Sequence, residues 1–168
     1  MDLTVEIDDK QVQSALSALL SAVERPEPAL QQIGVSTVEN IRMGFDTSSD
    51  PYGRPWKAVL RGGQPLRDTG NLANSWTYAL RGGVVAVGSQ REVEYDGRRH
   101  NLATIHQYGA TIRPVKAKAL RFQVNGRFVT SHGVTVPARP MIPANGWPDD
   151  WRDEVSGIVA DHIRRALQ

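Results

Sequence analysis

Trp76-Thr77-Tyr78-Ala79-Leu80-Arg81-Gly82-Gly83-Val84-Val85-Ala86-Val87 sets bulky apolar side chains at every second position on both sides of a double glycine. Trp76, Tyr78 and Leu80 share one parity, and Val85 and Val87 share another after the turn. A period of two belongs to a strand with one covered face, and glycine reaches the positive φ that a tight reversal needs. The stretch predicts an antiparallel hairpin. A second strand is expected over Ala119–Val124, with Asn125-Gly126 as its turn and Phe128 and Thr130 on the returning strand. Val134 and Val136 extend the sheet, until Pro137, Pro140 and Pro143 force an irregular path.

Helical periodicity brackets these strands. Leu3, Val5 and Ile7 suggest a short opening strand, and Asp8 and Gln11 have capping-box spacing. Val12, Leu16, Leu19 and Val23, widened by Ala15 and Leu20, then predict a helix over about residues 9–24. Arg25-Pro26-Glu27-Pro28 stops it, because proline lacks a donor and pushes its predecessor out of the helical region. Pro28 starts a second helix with Leu30, Ile33, Val38 and Ile41 on its buried side, and Gly34 interrupts the pattern. Leu102–Gln107 reads as one helical turn ending near Gly109. At the C-terminal end Asp150 is expected to cap a helix with Asp153 or Glu154 in its first turn. Its packed side runs through Trp151, Val155, Ile158 or Val159, His162 and Leu167. The class is therefore α+β, a central antiparallel sheet flanked by N-terminal helices and a C-terminal helix with long ordered loops.

At 168 residues the chain falls in the usual range of one domain, taken as 1–168. Apolar residues at 40% and charged residues at 23% exclude global disorder, while 15 glycines and 10 prolines require turn-rich connections. One connection, 46–70, contains Trp56, Val59, Leu60 and Leu66 and is expected to pack as an arm, since a free linker gains nothing from them. Within it Asp50-Pro51-Tyr52-Gly53 reads as a turn. Another stretch, 90–101, is polar and expected as an exposed loop. The absence of cysteine rules out disulfides, thiol catalysis and cysteine metal sites. Met1–Lys10 has neither the basic nor the apolar region of a signal peptide, and no apolar run reaches the roughly 20 residues of a membrane span, so a soluble chain with no membrane partner is expected.

Catalytic signals are thin. Asp68-Thr69-Gly70 matches the local sequence of acid proteases, whose chemistry needs two apposed carboxylates sharing a proton. Here Pro65-Leu66-Arg67 precedes it instead of an apolar strand. The competing reading makes Thr69 the cap of a short helix starting at Gly70 and Asn71, with Leu72 and Trp76 facing inward. His100, His106, His132 and His162, with Asp96 or Glu94, lack zinc spacing, and no metal or cofactor is expected. Gly82-Gly83 has neither the basic residue nor the strand-to-helix context of a phosphate loop.

The formal charge is only +2 at pH 7 despite a pI near 9.1, yet Arg113, Lys116, Lys118, Arg121 and Arg127 cluster in sequence. If the first three lie in an exposed loop and the last two share one sheet surface, they offer contacts to DNA phosphates or to an acidic protein rim; a merely solvated face is the plainer reading.

Four segments carry a family resemblance: Asp50-Pro51-Tyr52-Gly53-Arg54-Pro55-Trp56, Leu66 to Ser75, Ile105-His106-Gln107-Tyr108-Gly109, and Val136-Pro137-Ala138-Arg139-Pro140-Met141. In this order, between helical ends, they resemble the Mu-like phage virion morphogenesis family, also described as tail-completion proteins. The resemblance covers about residues 1–167 and implies a non-enzymatic virion component at the head–tail junction or tail terminus. It implies a small connector-like domain that self-associates into a ring, with portal, neck or tail-end proteins as neighbours; proximity to DNA is what the basic stretch suggests. The polar stretch 90–101 departs from the family pattern.

For that role Trp56, Trp76, Arg139, Pro140, Met141 and Ile142 are the expected interface residues, and Gly53, Thr69, Gly70 and Gly109 the turn formers. Prolines stiffen the exit segment and reduce the entropy lost on binding. For each tryptophan the plainer reading is a loop anchored to its own core, and Arg139 equally suits a tie within its own domain. A ring further requires an apolar patch exposed in the monomer and covered in the assembly.

Overall fold

The computed structural model describes residues 10–95, 97–124 and 126–168. The expected opening strand at Leu3–Ile7, the Asp8 cap, Asp96 and Asn125 lie outside the described residues. Among the described residues two helices come first, α1 (Lys10–Glu24) and α2 (Glu27–Thr47). Pro28 sits in the first turn of α2, where its missing N–H costs nothing. The helix stops at Ser48, which takes φ 57°, and the Ser49 N–H returns to the Gly44 carbonyl at 3.0 Å.

After the arm and one 3₁₀ turn at Ala73–Ser75 come β1 (Trp76–Arg81) and β2 (Val84–Ser89). Arg81 pairs with Val84, so Gly82 and Gly83 alone form the turn, with φ 54° and 78°. Two consecutive positive values suit the right-handed twist of a hairpin. β3 (Glu92–Tyr95) and β4 (Arg98–Asn101) follow, then α3 (Leu102–Tyr108) and β5 (Ala110–Ile112). Beyond these lie β6 (Leu120–Val124), β7 (Arg127–Ser131), β8 (Val134–Val136) and finally α4 (Asp149–Ala166).

The α+β class and the flanking helices match the expectation, and every described strand pair is antiparallel. The strands form four two-stranded ribbons, β1–β2, β3–β4, β5–β8 and β6–β7. Within 90–101, expected as an exposed loop, the structure pairs two strands as the β3–β4 ribbon, with Glu92 opposite Asn101 and Tyr95 opposite Arg98, and most of the described residues there are exposed. Backbone pairing does not require an apolar face, so a polar sequence still makes a ribbon when its turn is right, and Gly97 takes φ 76° there.

The core gathers Val38, Ile41 and Phe45 of α2, Trp56 of the arm, Leu72, Ala73 and Trp76 around the start of β1, Ala103 of α3, Met141, and Trp151 of α4. α2 is its spine, packing on β1, β2 and α4, and Asn40 Nδ2 donates to Glu154 Oε2 at 2.7 Å across the two helices. On α4 the buried positions are Trp151 and Ile158, whereas Val159 and Leu167 are exposed. Asp150 stands with Asp149 in the first turn, after Pro148, and supplies no side-chain cap.

Gly34 has a packing reason. A Cβ built there would lie 2.3 Å from Cδ2 of Tyr78 and 2.6 Å from its Cγ, so the β1 ring rests directly on the α2 backbone. Alanine gains about 1 kcal/mol of helix propensity over glycine, but displacing a seated ring costs about 1–3 kcal/mol. Gly34→Ala is therefore expected to lower the thermal midpoint, and the same change in a Tyr78→Leu background to lower it less. An equal drop in both backgrounds would contradict the contact.

α1 is turned differently from its sequence pattern. Ala22 is buried, with Ala18 and Leu19 half-covered, α1 packs on α4, and His162 Nε2 donates to the Ala22 carbonyl at 3.0 Å. The small-residue side faces the body. Val12, Leu16, Leu20 and Val23 remain 60%, 55%, 64% and 70% exposed, within about 80° of one another at ~100° per residue.

Candidate functional site

The exit segment after β8 passes closely over the end of α3, and glycine makes the approach possible. Gly109 takes φ 73°, and a Cβ there would lie 2.9 Å from both the Ala138 nitrogen and the Val136 carbonyl oxygen. The Arg139 N–H donates to the His106 carbonyl at 2.7 Å. Gln107, buried in α3, reads the next two residues: its Oε1 accepts from the Met141 and Ile142 N–H groups at 2.8 and 3.2 Å, and its Nε2 donates to the Ile142 carbonyl at 2.9 Å. One side-chain amide thus satisfies three backbone groups that proline-rich chain would otherwise leave unpaired.

The arm closes on the same segment from the other side. Trp56 Nε1 donates to the Pro140 carbonyl at 2.9 Å, and Arg139 donates through Nε to the Lys57 carbonyl at 2.8 Å and through Nη2 to the Ala58 carbonyl at 3.2 Å. Asp50 Oδ1 accepts from the Tyr52 and Arg54 N–H groups, both at 2.9 Å, and sets the turn at Gly53, φ 77°, that leads into Trp56. Arg139 is 4% exposed, and carbonyl dipoles rather than a carboxylate hold its charge. Its burial lowers its pKa from the usual guanidinium value.

Four of the six expected interface residues, Trp56, Trp76, Arg139 and Met141, are therefore buried within the protomer, where they join the arm, α3 and the exit segment. Pro140 and Ile142 are half-buried beside them. The sequence pattern gave Gln107 no role; its signal is a polar side chain inside a short helix just ahead of a required glycine.

The Asp68-Thr69-Gly70 triplet lines an open pocket of about 250 Å³ between the arm, β3 and α3. The Asp68 side chain is 78% exposed and stands 3.7 Å from Arg61. Among the described residues lining the pocket it is the single carboxylate, facing Arg61, Arg91, Arg139 and His106. A proton-sharing acid pair has no second member there. Thr69 caps no helix: its Oγ1 accepts only from the Asn71 N–H, at 3.5 Å, and Gly70 turns at φ 77°. Among the described residues no group of three or more histidines, aspartates or glutamates is placed to hold a metal.

His106 is pushed below its ordinary pKa, first by burial and then by the charge of Arg139. Its Nδ1 is buried with no hydrogen-bond partner among the described residues. The unfolded chain then binds the proton more readily, so stability is fully present above the ordinary value of about 6.5 and falls as pH drops below it. His106→Gln is expected to flatten the decline of the thermal midpoint between about pH 7 and 5 relative to the wild type; parallel curves would contradict this.

The basic residues do not share one surface. Arg113, Lys116 and Lys118 are exposed between β5 and β6. In the β6–β7 register Arg121 opposes Thr130 and Val124 opposes Arg127, so strand alternation sends Arg121 and Arg127 to opposite faces. Arg121 stacks over the Phe128 ring at 4.4 Å. The condition that Arg121 and Arg127 share one sheet face is therefore not met.

Residues 7–164 match the profile of the phage virion morphogenesis family. No curated protein and no solved structure matches the chain. Among the described residues no helix is long and apolar enough to cross a membrane.

Proposed function

The chain belongs to the phage virion morphogenesis family, and from that membership we propose that it is a ring-forming completion or adaptor protein at the head–tail junction or the tail terminus. The role is structural assembly without a chemical reaction. The apolar face of α1, left exposed among the described residues, is the observation that carries the reading. Four large aliphatic side chains stand exposed on a helix with no charged residue between Lys10 and Glu24. Lys10–Ser17 is exposed all round. A short helix gains most of its stability from packing an apolar face, so this face calls for a cover.

A second copy supplies that cover at every position of a ring, where one modest contact repeats and closure joins the contacts into a single attachment. Portal, neck or tail-end proteins are the neighbours this ring meets. Sedimentation over a concentration series, together with imaging of the protein mixed with purified tail ends, is expected to show rings or decorated tails. Unbound monomers in both measurements would overturn the proposal.

A second reading, contact with DNA, has one observation in its favour. Between Asp96 and Asp149 the sequence holds eight arginines and lysines and no acid. Under it duplex binding falls steeply with salt and weakens when Arg113, Lys116 and Lys118 are neutralised. The opposed faces of Arg121 and Arg127 weigh against a continuous phosphate track.

A further inference from the structure

The pocket between the arm, β3 and α3 is oddly charged for a turn-lined hollow. Arg61, Arg91 and Arg139 face it with a single carboxylate, Asp68, which stands 3.7 Å from Arg61. Arg139 is buried, with carbonyls as its partners among the described residues, and a buried cation without an anion is a costly arrangement that a carboxylate relieves. Val59, Leu66, Leu72, Val93 and Leu102 give the pocket apolar walls. β3 pairs only with β4, so its other edge carries no strand among the described residues. A site with these features suits an extended peptide that alternates acidic and apolar side chains, added along a strand edge.

The chain contains such a peptide. Residues 1–9, Met1-Asp2-Leu3-Thr4-Val5-Glu6-Ile7-Asp8-Asp9, carry four acids and no base, interleaved with Leu3, Val5 and Ile7. The acid-free run from residue 97 to 148 is their electrostatic complement. The segment leads into α1 at Lys10, and Lys10–Ser17 is exposed.

We propose that residues 1–9 of one copy bind the Arg61–Arg91–Arg139 pocket of a second copy, placing a carboxylate among the guanidinium groups and apolar side chains against Val93 and Leu102. The proposal rests on the self-association reading and adds to it a directional link from each copy to the next.

The test uses the full chain with a photoreactive side chain at Val5, as an equal mixture of natural-abundance and ¹⁵N-labelled copies, with sedimentation velocity run on the same samples. Cross-links joining a labelled to an unlabelled chain are expected at residues 91–93 or 102–106. Their yield is expected to fall at least about tenfold with Arg91→Glu, as for a desolvated charge pair broken on one side, and to recover when Arg91→Glu is combined with Glu6→Lys. Recovery separates a lost ion pair from a misfolded pocket. Cross-links confined to one copy, mapped to another surface, or insensitive to Arg91→Glu would overturn the proposal. If sedimentation still shows association in that case, the self-association reading stands without this link; if it shows monomers throughout, both fail.

Discussion

Replacing Trp56 by alanine is expected to lower stability by about 3–5 kcal/mol, the usual range for deleting a buried aromatic side chain, and the thermal midpoint by on the order of 10 °C in a chain of this size. Trp56 does three things at once. Its ring meets Phe45 edge-on at a centroid distance of 5.5 Å, and Phe45 is fully buried at the heart of the core. Its Nε1–H holds the Pro140 carbonyl, and its backbone N–H holds the Ser48 carbonyl at 2.8 Å, just past the end of α2. Losing the side chain leaves a cavity and unfastens the arm from the exit segment together. Trp56→Phe keeps an aromatic surface against Phe45 while orphaning the Pro140 carbonyl, and is expected to cost only about 1–3 kcal/mol. Chemical denaturation of both variants checks the order; equal losses would mean that the indole N–H contributes nothing.

The second large effect falls on assembly and spares the fold. Leu16→Glu with Leu20→Glu changes two side chains that are more than half exposed and replaces one good helix former with another. Stability is expected to move by no more than about 0.5 kcal/mol per site, as for substitutions away from packed features. If the α1 face is covered by a second copy, the variant buries unpaired carboxylates in an apolar contact, and self-association falls by a factor of about 100 or more. Sedimentation and thermal melting on the same sample separate the two effects. A variant that melts normally and associates normally would remove α1 from the interface.

How much of this was legible in the sequence varies from element to element. The β1–β2 hairpin is local: alternation on either side of Gly82-Gly83 specifies strands, turn and register within fourteen residues, and the structure follows it. The β3–β4 hairpin has the same logic in fainter form, since Val93 and Tyr95 alternate and Asp96-Gly97 is a turn dipeptide, but Arg98-Arg99-His100-Asn101 carries no apolar parity to reveal the return. The rotation of α1 was not legible. Its leucines and its alanines both repeat at helical spacing, and only the packing on α4 decides that Ala18 and Ala22 are the covered ones.

The buried site was partly visible. Arg139 and the prolines announce a constrained exit, and Asp50 to Gly53 announces the turn that delivers Trp56. A tryptophan that anchors its own core and one that anchors a neighbour look the same in one dimension, because both are large, apolar and preceded by turn residues. The distinction came from burial: Trp56, Trp76, Arg139 and Met141 are enclosed by the protomer, whereas Val12, Leu16, Leu20 and Val23 are not. On the exit segment Pro140 and Ile142 are half-buried, and α1 carries the four exposed aliphatic side chains.

The central claim is that this chain completes virions by associating through α1. Electron microscopy of particles formed in a host lacking the chain, and supplied with either the wild type or the Leu16→Glu, Leu20→Glu variant, tests it most directly. The account predicts joined or properly terminated particles with the wild type, and heads and tails left separate or unterminated with the variant. Complete, infectious particles assembled with the variant would contradict it.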